Sequence, residues 1–251
     1  GQRLQLHAEG SLAALRIDAT ADGVIAAELQ LSADLLDPLL PHQLRFNSNQ
    51  LHWPVATEAE HSAFHLTDSE LTLSGNLQHT QVDGKLHITS ADVPETAINF
   101  SGNASLNGVT FDTLQLNTLN GQINSPVTLN WRQGLSWQGQ VQLAAIQPGR
   151  FWPDYPGELS GSFRHNGQLN ANGQWQSAIE HLDINGKLRR YALQLSGDLL
   201  LADASGTGDY QFSSSGLTLS HAENRLQLSG SLQQHWQLAL QLEIADLAQS
   251  I

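Results

Sequence analysis

Apolar and polar residues alternate along nearly the whole of this 251-residue chain, in runs of about four to seven positions. Successive side chains of a β-strand point to opposite faces, so a period of two places every apolar side chain of a run on one face. No helical period of 3.6 residues persists over ten residues anywhere in the chain. The pattern therefore predicts an all-β fold whose strands each have one apolar and one polar face.

The alternating runs define the residues that we expect on the apolar face. They share a spacing of two and are mainly leucine. They are Leu71, Leu73, Leu86, Ile88, Ile98, Phe100, Leu114, Leu116, Val127, Leu129, Trp131, Val141, Leu143, Leu182, Ile184, Leu193, Leu195, Leu217, Leu219, Leu226, Leu228, Leu238, Leu240 and Leu242.

Asn-Gly and Asp-Gly pairs recur between the alternating runs. Both pairs tolerate positive φ and are the strongest short signals for a β-hairpin turn. Strands joined by turns at this spacing predict an antiparallel meander. The predicted turns are at Asp83-Gly84, Asn107-Gly108, Asn120-Gly121, Asn166-Gly167, Asn172-Gly173 and Asn185-Gly186.

A weak internal repeat, Leu-x-Leu-Ser-Gly-x-Leu, occurs at 71–77, 193–199 and 226–232, with looser forms at 98–104 and 182–188. A glycine inside a strand usually marks a bulge or a close approach of two backbones. We therefore expect the glycine of each repeat to lie at such a position.

Three stretches interrupt the alternation. Residues 35–41 are compatible with one short helical turn, and residues 58–64 with another turn or a loop. Residues 147–156 contain three prolines and three aromatic residues, which predicts an irregular loop.

The number of turns indicates about 20 strands, which at ~4.8 Å each would give a sheet of roughly 95 Å. Open sheets rarely exceed about ten strands without curling, so a barrel, a sandwich or a trough is expected. The apolar face is mainly leucine, with 7 Phe and 3 Tyr in the chain. We predict one continuous, elongated, curled antiparallel sheet over residues 1–251 with a hydrophobic groove, although an ordinary sandwich core stays open on the residues alone.

Composition excludes several classes of protein. A net charge of −13, with 11 Lys and Arg against 24 Asp and Glu, argues against nucleic-acid binding. The absence of cysteine excludes disulfides and cysteine-based metal sites. No apolar run is long enough for a transmembrane helix. The chain starts at Gly1 without an initiator methionine, and we interpret it as an internal segment of a longer protein.

Catalytic motifs are weak or missing, and we expect no enzyme activity, no metal and no cofactor. No phosphate-binding glycine loop and no Gly-x-Ser-x-Gly elbow occurs. His61 and His65 have helical metal-ligand spacing, but surface histidines explain them better. Acid pairs such as Asp18 and Asp22 lie in predicted turns rather than in a recognisable cleft.

The six tryptophans leave a carbohydrate-binding alternative open. Trp131, Trp137 and Trp175 fall in or beside alternating runs, where packing in a core or groove is the simpler interpretation. Trp152 lies in the proline-rich loop and is expected to cap a local edge. Sugar binding would require tryptophan and two acids together in one cleft.

Four stretches give the chain a resemblance to a known family. Residues 121–131, 135–139, 151–156 and 159–163 resemble the TamB family, and the likeness continues less sharply through the leucine repeats to Ile251. These are large AsmA-like proteins that carry a DUF490 region. The motif after Gly149 is the most specific part of the resemblance.

The resemblance implies a periplasmic location in a Gram-negative bacterium, as part of a protein anchored in the inner membrane. It implies a β-taco fold, a TamA-type outer-membrane barrel as partner, and roles in phospholipid transport and in assembly of autotransporter-type outer-membrane proteins. The residues agree with the lipid role, since a leucine face suits acyl chains and each buried CH₂ is worth about 0.8 kcal/mol.

Two other functions stay open. The chain could be a chaperone or scaffold that pairs its sheet edge with nascent outer-membrane β-strands. Alternatively, it could be a purely structural spacer across the periplasm with a filled, dry core.

Overall fold

The computed structural model describes residues 1–53, 64–233 and 235–245. These residues form seventeen β-strands, one short 3₁₀ turn and no α-helix. All strand pairs within each part of the chain are antiparallel. The prediction of an all-β antiparallel fold is therefore confirmed. The described part contains no helix capable of spanning a bilayer.

The strands pack as two units, Gly1–Thr118 and Leu119–Ile251. In unit 1 each strand pairs with the next along the chain. Its strands are β1 (Arg3–Ser11), β2 (Ala14–Asp22), β3 (Ala26–Ala33), β4 (His42–Trp53), β5 (Phe64–Asn76), β6 (His79–Thr89), β7 (Thr96–Ser105) and β8 (Gly108–Thr118).

Unit 2 begins with two short strands that both pair with β11, and from there each strand pairs with the next. Its strands are β9 (Gly121–Asn124), β10 (Val127–Asn130), β11 (Leu135–Ile146), β12 (Gly157–Leu169), β13 (Trp175–Leu188), β14 (Tyr191–Asp203), β15 (Tyr210–His221), β16 (Asn224–Leu232) and β17 (Trp236–Glu243). Pro126 separates β9 from β10, since proline cannot donate to a ladder.

Three of the six predicted turns are confirmed. Asn107 and Asn120 lie in two-residue turns, and Asn172 lies in the connection between β12 and β13. Leu119 and Asn120 both have positive φ, which a type I′ hairpin turn requires.

The other three predicted turns are wrong, because Gly84, Gly167 and Gly186 lie inside β6, β12 and β13. Two of these glycines lie opposite an aromatic residue. A Cβ at Gly167 would lie 2.2 Å from a ring carbon of Trp137, and one at Gly84 would lie 2.4 Å from Phe100. These glycines accommodate a ring from the next strand instead of turning the chain, so the strands are longer and fewer than expected.

The glycine of the leucine repeat has one environment in all three copies. Gly75, Gly197 and Gly230 have φ of +143°, +135° and +111°. A Cβ at any of them would lie 1.9–2.1 Å from a carbonyl oxygen of the adjacent strand. The repeat thus marks a close backbone approach, as predicted.

Of the three stretches that interrupt the alternation, one has a structure that differs from the prediction. Residues 35–41 form a bend and a turn, with Leu40 N donating to Asp37 O at 2.9 Å, rather than a helical turn. Residues 147–156 form the predicted irregular loop around a 3₁₀ turn, Pro148–Arg150. The prediction for residues 58–64 lies almost entirely outside the described residues.

The loop between β14 and β15 is organised by one buried carboxylate, that of Asp203. The Ser205 hydroxyl donates to Asp203 Oδ1 at 2.8 Å, and the backbone N–H groups of Ser205, Gly206 and Gly208 also donate to the carboxylate. The Ser205 hydroxyl is the main reason that the pKa of Asp203 lies below its ordinary value, and the three backbone donors add to it. Ionised Asp203 therefore stabilises this loop.

We predict an acid-dependent loss of stability that depends on Asp203. Because its pKa is lower in the folded state, its contribution is complete above the ordinary carboxyl pKa of about 3.9 and disappears as pH falls through the lowered value. Asp203→Asn should lower Tm at pH 7 and flatten the dependence of Tm on pH below pH 4. Asp209→Asn, on the same loop but exposed, is the control. Equal pH profiles for all three proteins would contradict the assignment.

Candidate functional site

One face of unit 1 carries continuous rows of apolar residues, which we call apolar face 1. Residues directly opposite each other on paired strands share a face. One row passes through Ala19, Leu29, Phe46, Leu71, Gly84, Phe100 and Leu114. The next row passes through Ile17, Leu31, Leu44, Leu73, Val82, Gly102 and Phe111. Phe100 and Phe111 join the two rows edge to face, with centroids 5.6 Å apart.

Unit 2 has an equivalent face, which we call apolar face 2. Its central row crosses eight strands without a polar residue: Ile123, Leu143, Gly161, Ile184, Leu195, Leu219, Leu226 and Leu242. A parallel row ends with Leu217, Leu228 and Leu240. The strands of both units thus arrange their apolar side chains in bands that cross the strands.

β-Bulges keep these bands in register. Asp68, Ala145 and His181 have positive φ at points where the ladder shifts by one residue. Each extra residue reverses the alternation in its strand and increases the local twist. Leu66 and Leu71 consequently share a face although their separation is odd, and so do Ile179 and Leu182.

Very few apolar side chains in either unit are buried. Val82 and Ile146 are the only buried hydrophobic residues in the described part of the chain, with 7% and 8% of their surfaces exposed. Within each unit the strands contact only their neighbours in the ladder, so no second layer of the same unit covers its apolar face in the described residues. Neither unit has a filled hydrophobic core in the part of the chain that the structure describes.

The residues predicted for the apolar face occupy the expected strands. Twenty of the 24 are half-buried, and Trp131, Leu238, Leu240 and Leu242 are exposed. Trp131 lies just after β10, and the other 23 lie within strands. Whether any of them contacts a lipid stays a prediction.

Several members of the two faces were not among the predicted residues. Leu29, Leu31, Leu44 and Phe46 belong to the rows of apolar face 1, and Phe163 belongs to apolar face 2. The runs Leu29-Gln30-Leu31 and Leu44-Arg45-Phe46 show the same period of two, so the signal was available in the sequence.

A few polar groups lie on the apolar faces, and most have partners. Ser48 donates to Ala26 O at 2.9 Å, and His42 Nε2 lies 3.3 Å from Thr80 Oγ1. The exception is His165, opposite Gly139 in β11, whose Nε2 atom is buried without a hydrogen-bond partner. Burial lowers the pKa of His165, so its neutral form is favoured.

The described residues give no support to a pair of catalytic carboxylates or to a metal site. Asp18 and Asp22 both lie in β2 rather than in turns, four residues apart, which corresponds to about 13 Å along a strand. No group of three or more His, Asp or Glu side chains suited to a metal occurs in the described ranges. His61 lies outside the described residues.

Three of the six tryptophans have local packing partners in the described part of the chain. Trp137 covers Gly167. Trp175 lies 6.2 Å from the Tyr210 ring in a tilted contact. Trp152 lies edge to face against Phe151, with centroids 5.1 Å apart. These three tryptophans pack locally, and their arrangement favours packing over sugar recognition.

These observations define an all-β protein in which each of two antiparallel units carries rows of apolar side chains on one face. A family model described as the N-terminal domain of TamB matches residues 1–251. The chain therefore belongs to the TamB family, as its sequence resemblance indicated.

One curated relative shows the extent of the similarity. The chain is 25% identical over 226 residues to the translocation and assembly module subunit TamB of Haemophilus influenzae. The match covers 90% of this chain and 17% of the relative, so the chain spans less than a fifth of that protein's length. No solved structure matches the chain.

Proposed function

We propose that apolar faces 1 and 2 bind the acyl chains of phospholipids, in a lipid-conducting segment of a TamB-family protein. The observation that carries this proposal is that neither face is covered by strands of its own unit, and that Val82 and Ile146 are the only buried hydrophobic side chains among the described residues. Apolar patches larger than a few hundred Å² on soluble proteins mark binding surfaces. Leucine bands without polar interruption match an alkyl chain better than they match a polar ligand.

Because the rows are uniformly apolar, they suit movement of an acyl chain along the face as well as its binding. The central row of apolar face 2 presents apolar residues or glycine on eight strands. Each CH₂ removed from water contributes about 0.8 kcal/mol wherever it lies. A chain could therefore shift from strand to strand without leaving a deep energy minimum, and no reaction step is needed.

The wider setting follows from family membership and is part of the same proposal. The chain would act in the periplasm, within a protein anchored in the inner membrane, and would curl its apolar surface into a β-taco. A TamA-type barrel would be its outer-membrane partner. Transport of phospholipid between the membranes would accompany assembly of outer-membrane proteins.

Site-specific photocrosslinking tests the proposal directly. Crosslinkers at Leu116, Leu195 and Leu228 should capture phospholipid in cells, since these residues lie on the apolar faces. Crosslinkers at Gln115, Gln194 and Gln227, one residue away on the opposite face, are the matched controls. Absence of lipid adducts at all three leucines would refute the proposal.

A second candidate function rests on the terminal strands. In the described residues β1 pairs within its unit only with β2, and β17 only with β16. Leu6 on β1 and Leu240 on β17 are 67% and 64% exposed. A terminal strand whose second side is unpaired can accept a client β-strand by augmentation. This function predicts protein adducts from edge positions and no lipid adducts from the leucine rows.

A further inference from the structure

One end of unit 2 gathers arginine and aromatic side chains in a chain that has few of either. Seven of the 11 Lys and Arg belong to unit 2. Arg150, Arg189 and Arg190 lie at the edge of the sheet that the ends of β11 and β13 form, which is not the edge made by a terminal strand. Trp152 and Tyr155 lie at the same edge, each with 47% of its surface exposed. We call these five residues the arginine–aromatic edge.

Several contacts hold the residues of the arginine–aromatic edge in place. The Arg189 guanidinium carbon lies 4.9 Å from the centre of the Tyr155 ring, as in a cation–π contact. Arg189 Nε donates to Asp154 O at 2.7 Å, and Arg189 N donates to Pro156 O at 2.6 Å. These bonds fasten the proline-rich loop to the turn between β13 and β14, so the aromatic rings and the arginines are held together.

The turn itself is an unusual place for two arginines. Arg189 and Arg190 have φ of +50° and +74°, the conformation that favours Asn-Gly in a two-residue hairpin turn. A non-glycine residue in this region costs about 1 kcal/mol or more, and such costs concentrate at functional positions. Arg190 is exposed and has no ion pair in the described part of the chain. Its charge is available to a ligand.

Nearby acids reduce the charge of this edge without cancelling it. Glu158 lies opposite Lys187 across β12 and β13, so these two charges offset each other. At the same strand ends Arg225 lies opposite Glu243, so these two charges also offset each other. The three arginines then face two acids, Asp154 in the proline-rich loop and Glu223 in the turn after β15, whose Ala222 N donates to Ala192 O. The opposite edge of unit 2 has Arg132 near the start of β11, and Asp203 and Asp209 near the end of β14. The arginine–aromatic edge thus keeps a small excess of positive charge, and the opposite edge does not.

This edge also borders apolar face 2, whose rows run alongside it from strand to strand. Tyr191 is the first residue of β14, and Leu193 and Leu195 follow it on the same face. An acyl chain lying along this face would place its polar end at one of the two edges. Arginine recognises phosphate through paired hydrogen bonds, and Tyr and Trp favour the boundary between apolar and polar surroundings.

We propose that the arginine–aromatic edge binds the phosphate group of a phospholipid whose acyl chains lie on apolar face 2. This inference rests on the proposed function. It adds the headgroup chemistry, an anionic phosphate, and the side of unit 2 on which it lies. The bound headgroup would fix the direction in which each lipid lies on apolar face 2.

A charge-removing variant that favours the turn tests the proposal on the 251-residue chain. The double substitution Arg189→Asn with Arg190→Gly removes both charges and supplies the preferred turn sequence. The relief of the positive-φ cost offsets the lost contacts of Arg189 with Tyr155 and Asp154, and the backbone bond from residue 189 to Pro156 O is kept, so the strands should stay folded. Arg132→Gln, at the opposite edge, is the matched control. Calorimetry would measure binding of a short-chain phosphatidylglycerol, of a diacylglycerol with the same chains, and of inorganic phosphate.

We expect the double variant to bind the phosphatidylglycerol roughly tenfold more weakly, as for the loss of a charge-assisted hydrogen bond. Its binding of diacylglycerol should equal that of the wild type, and Arg132→Gln should change neither. Equal phosphatidylglycerol affinity in wild type and double variant would overturn the headgroup site alone. Phosphate binding as tight as lipid binding would identify a free-phosphate site instead. Failure of the wild type to bind either lipid would overturn the proposed function itself.

Discussion

Leu195→Arg is expected to abolish most lipid occupancy of apolar face 2 while leaving the protein folded. Leu195 lies between Ile184 and Leu219 in the central row. A charge placed against an acyl chain costs about 2.5–3.5 kcal/mol on insertion scales, which corresponds to more than a tenfold loss of affinity. Because the face is uncovered, the arginine head can reach water when no lipid is bound, and folding should not suffer.

The matched control for this variant is on the same strand. Gln194 is exposed on the opposite face, between Asn185 and Ser220. Gln194→Arg adds the same charge and should leave lipid binding unchanged. Leu228→Asp with Gln227→Asp repeats the comparison on β16 with the opposite charge. Native mass spectrometry of the purified proteins would count bound phospholipid. Equal occupancy in Leu195→Arg and Gln194→Arg would show that lipid does not use this face.

Gly197→Ala and Gly230→Ala are expected to destabilise unit 2 more than any conservative change on its surface. A Cβ at these positions would lie 2.1 Å from Gly216 O and 1.9 Å from Gln237 O. Their positive φ adds a conformational cost, and together with the forced backbone shift we expect a loss of about 1–3 kcal/mol or more for each. Urea unfolding followed by circular dichroism would measure it.

Gly216→Ala is the control for both glycine variants. Gly216 also lies in a strand of unit 2, but nothing lies within 4 Å of a Cβ placed there, and its φ is not positive. We expect its free energy of unfolding to stay within about 0.5 kcal/mol of the wild type. A loss at Gly216 equal to the losses at Gly197 and Gly230 would contradict the close-approach explanation of the leucine repeat.

The alternation of residues predicted strands and faces correctly because it depends only on the geometry of one strand. The glycine-containing turns were less predictable, since their outcome depends on the neighbouring strand. Gly84 and Gly167 look like hairpin positions in the sequence, but the rings of Phe100 and Trp137 lie against them. Only the register between strands reveals which aromatic residue lies opposite which glycine.

The bulges show a second limit of sequence patterns. Asp68, Ala145 and His181 have positive φ although none is a glycine, so no residue type marks them. They explain why apolar residues at odd separations, such as Leu66 and Leu71, share a face. The alternating pattern also could not predict whether a second layer covers the apolar face of each unit. A sandwich and an open face have the same alternation, and they differ only in what lies against the leucines.

The serial pairing of strands has a consequence for how the chain reaches its folded state. From β1 to β8, and again from β11 to β17, each strand finds its partner in the segment immediately before it. Folds built from contacts close in sequence form quickly, because little loop-closure entropy opposes each pairing. Each new hairpin can dock onto the last completed strand, so the sheet can grow in the order in which the chain emerges during synthesis or export, without waiting for its far end.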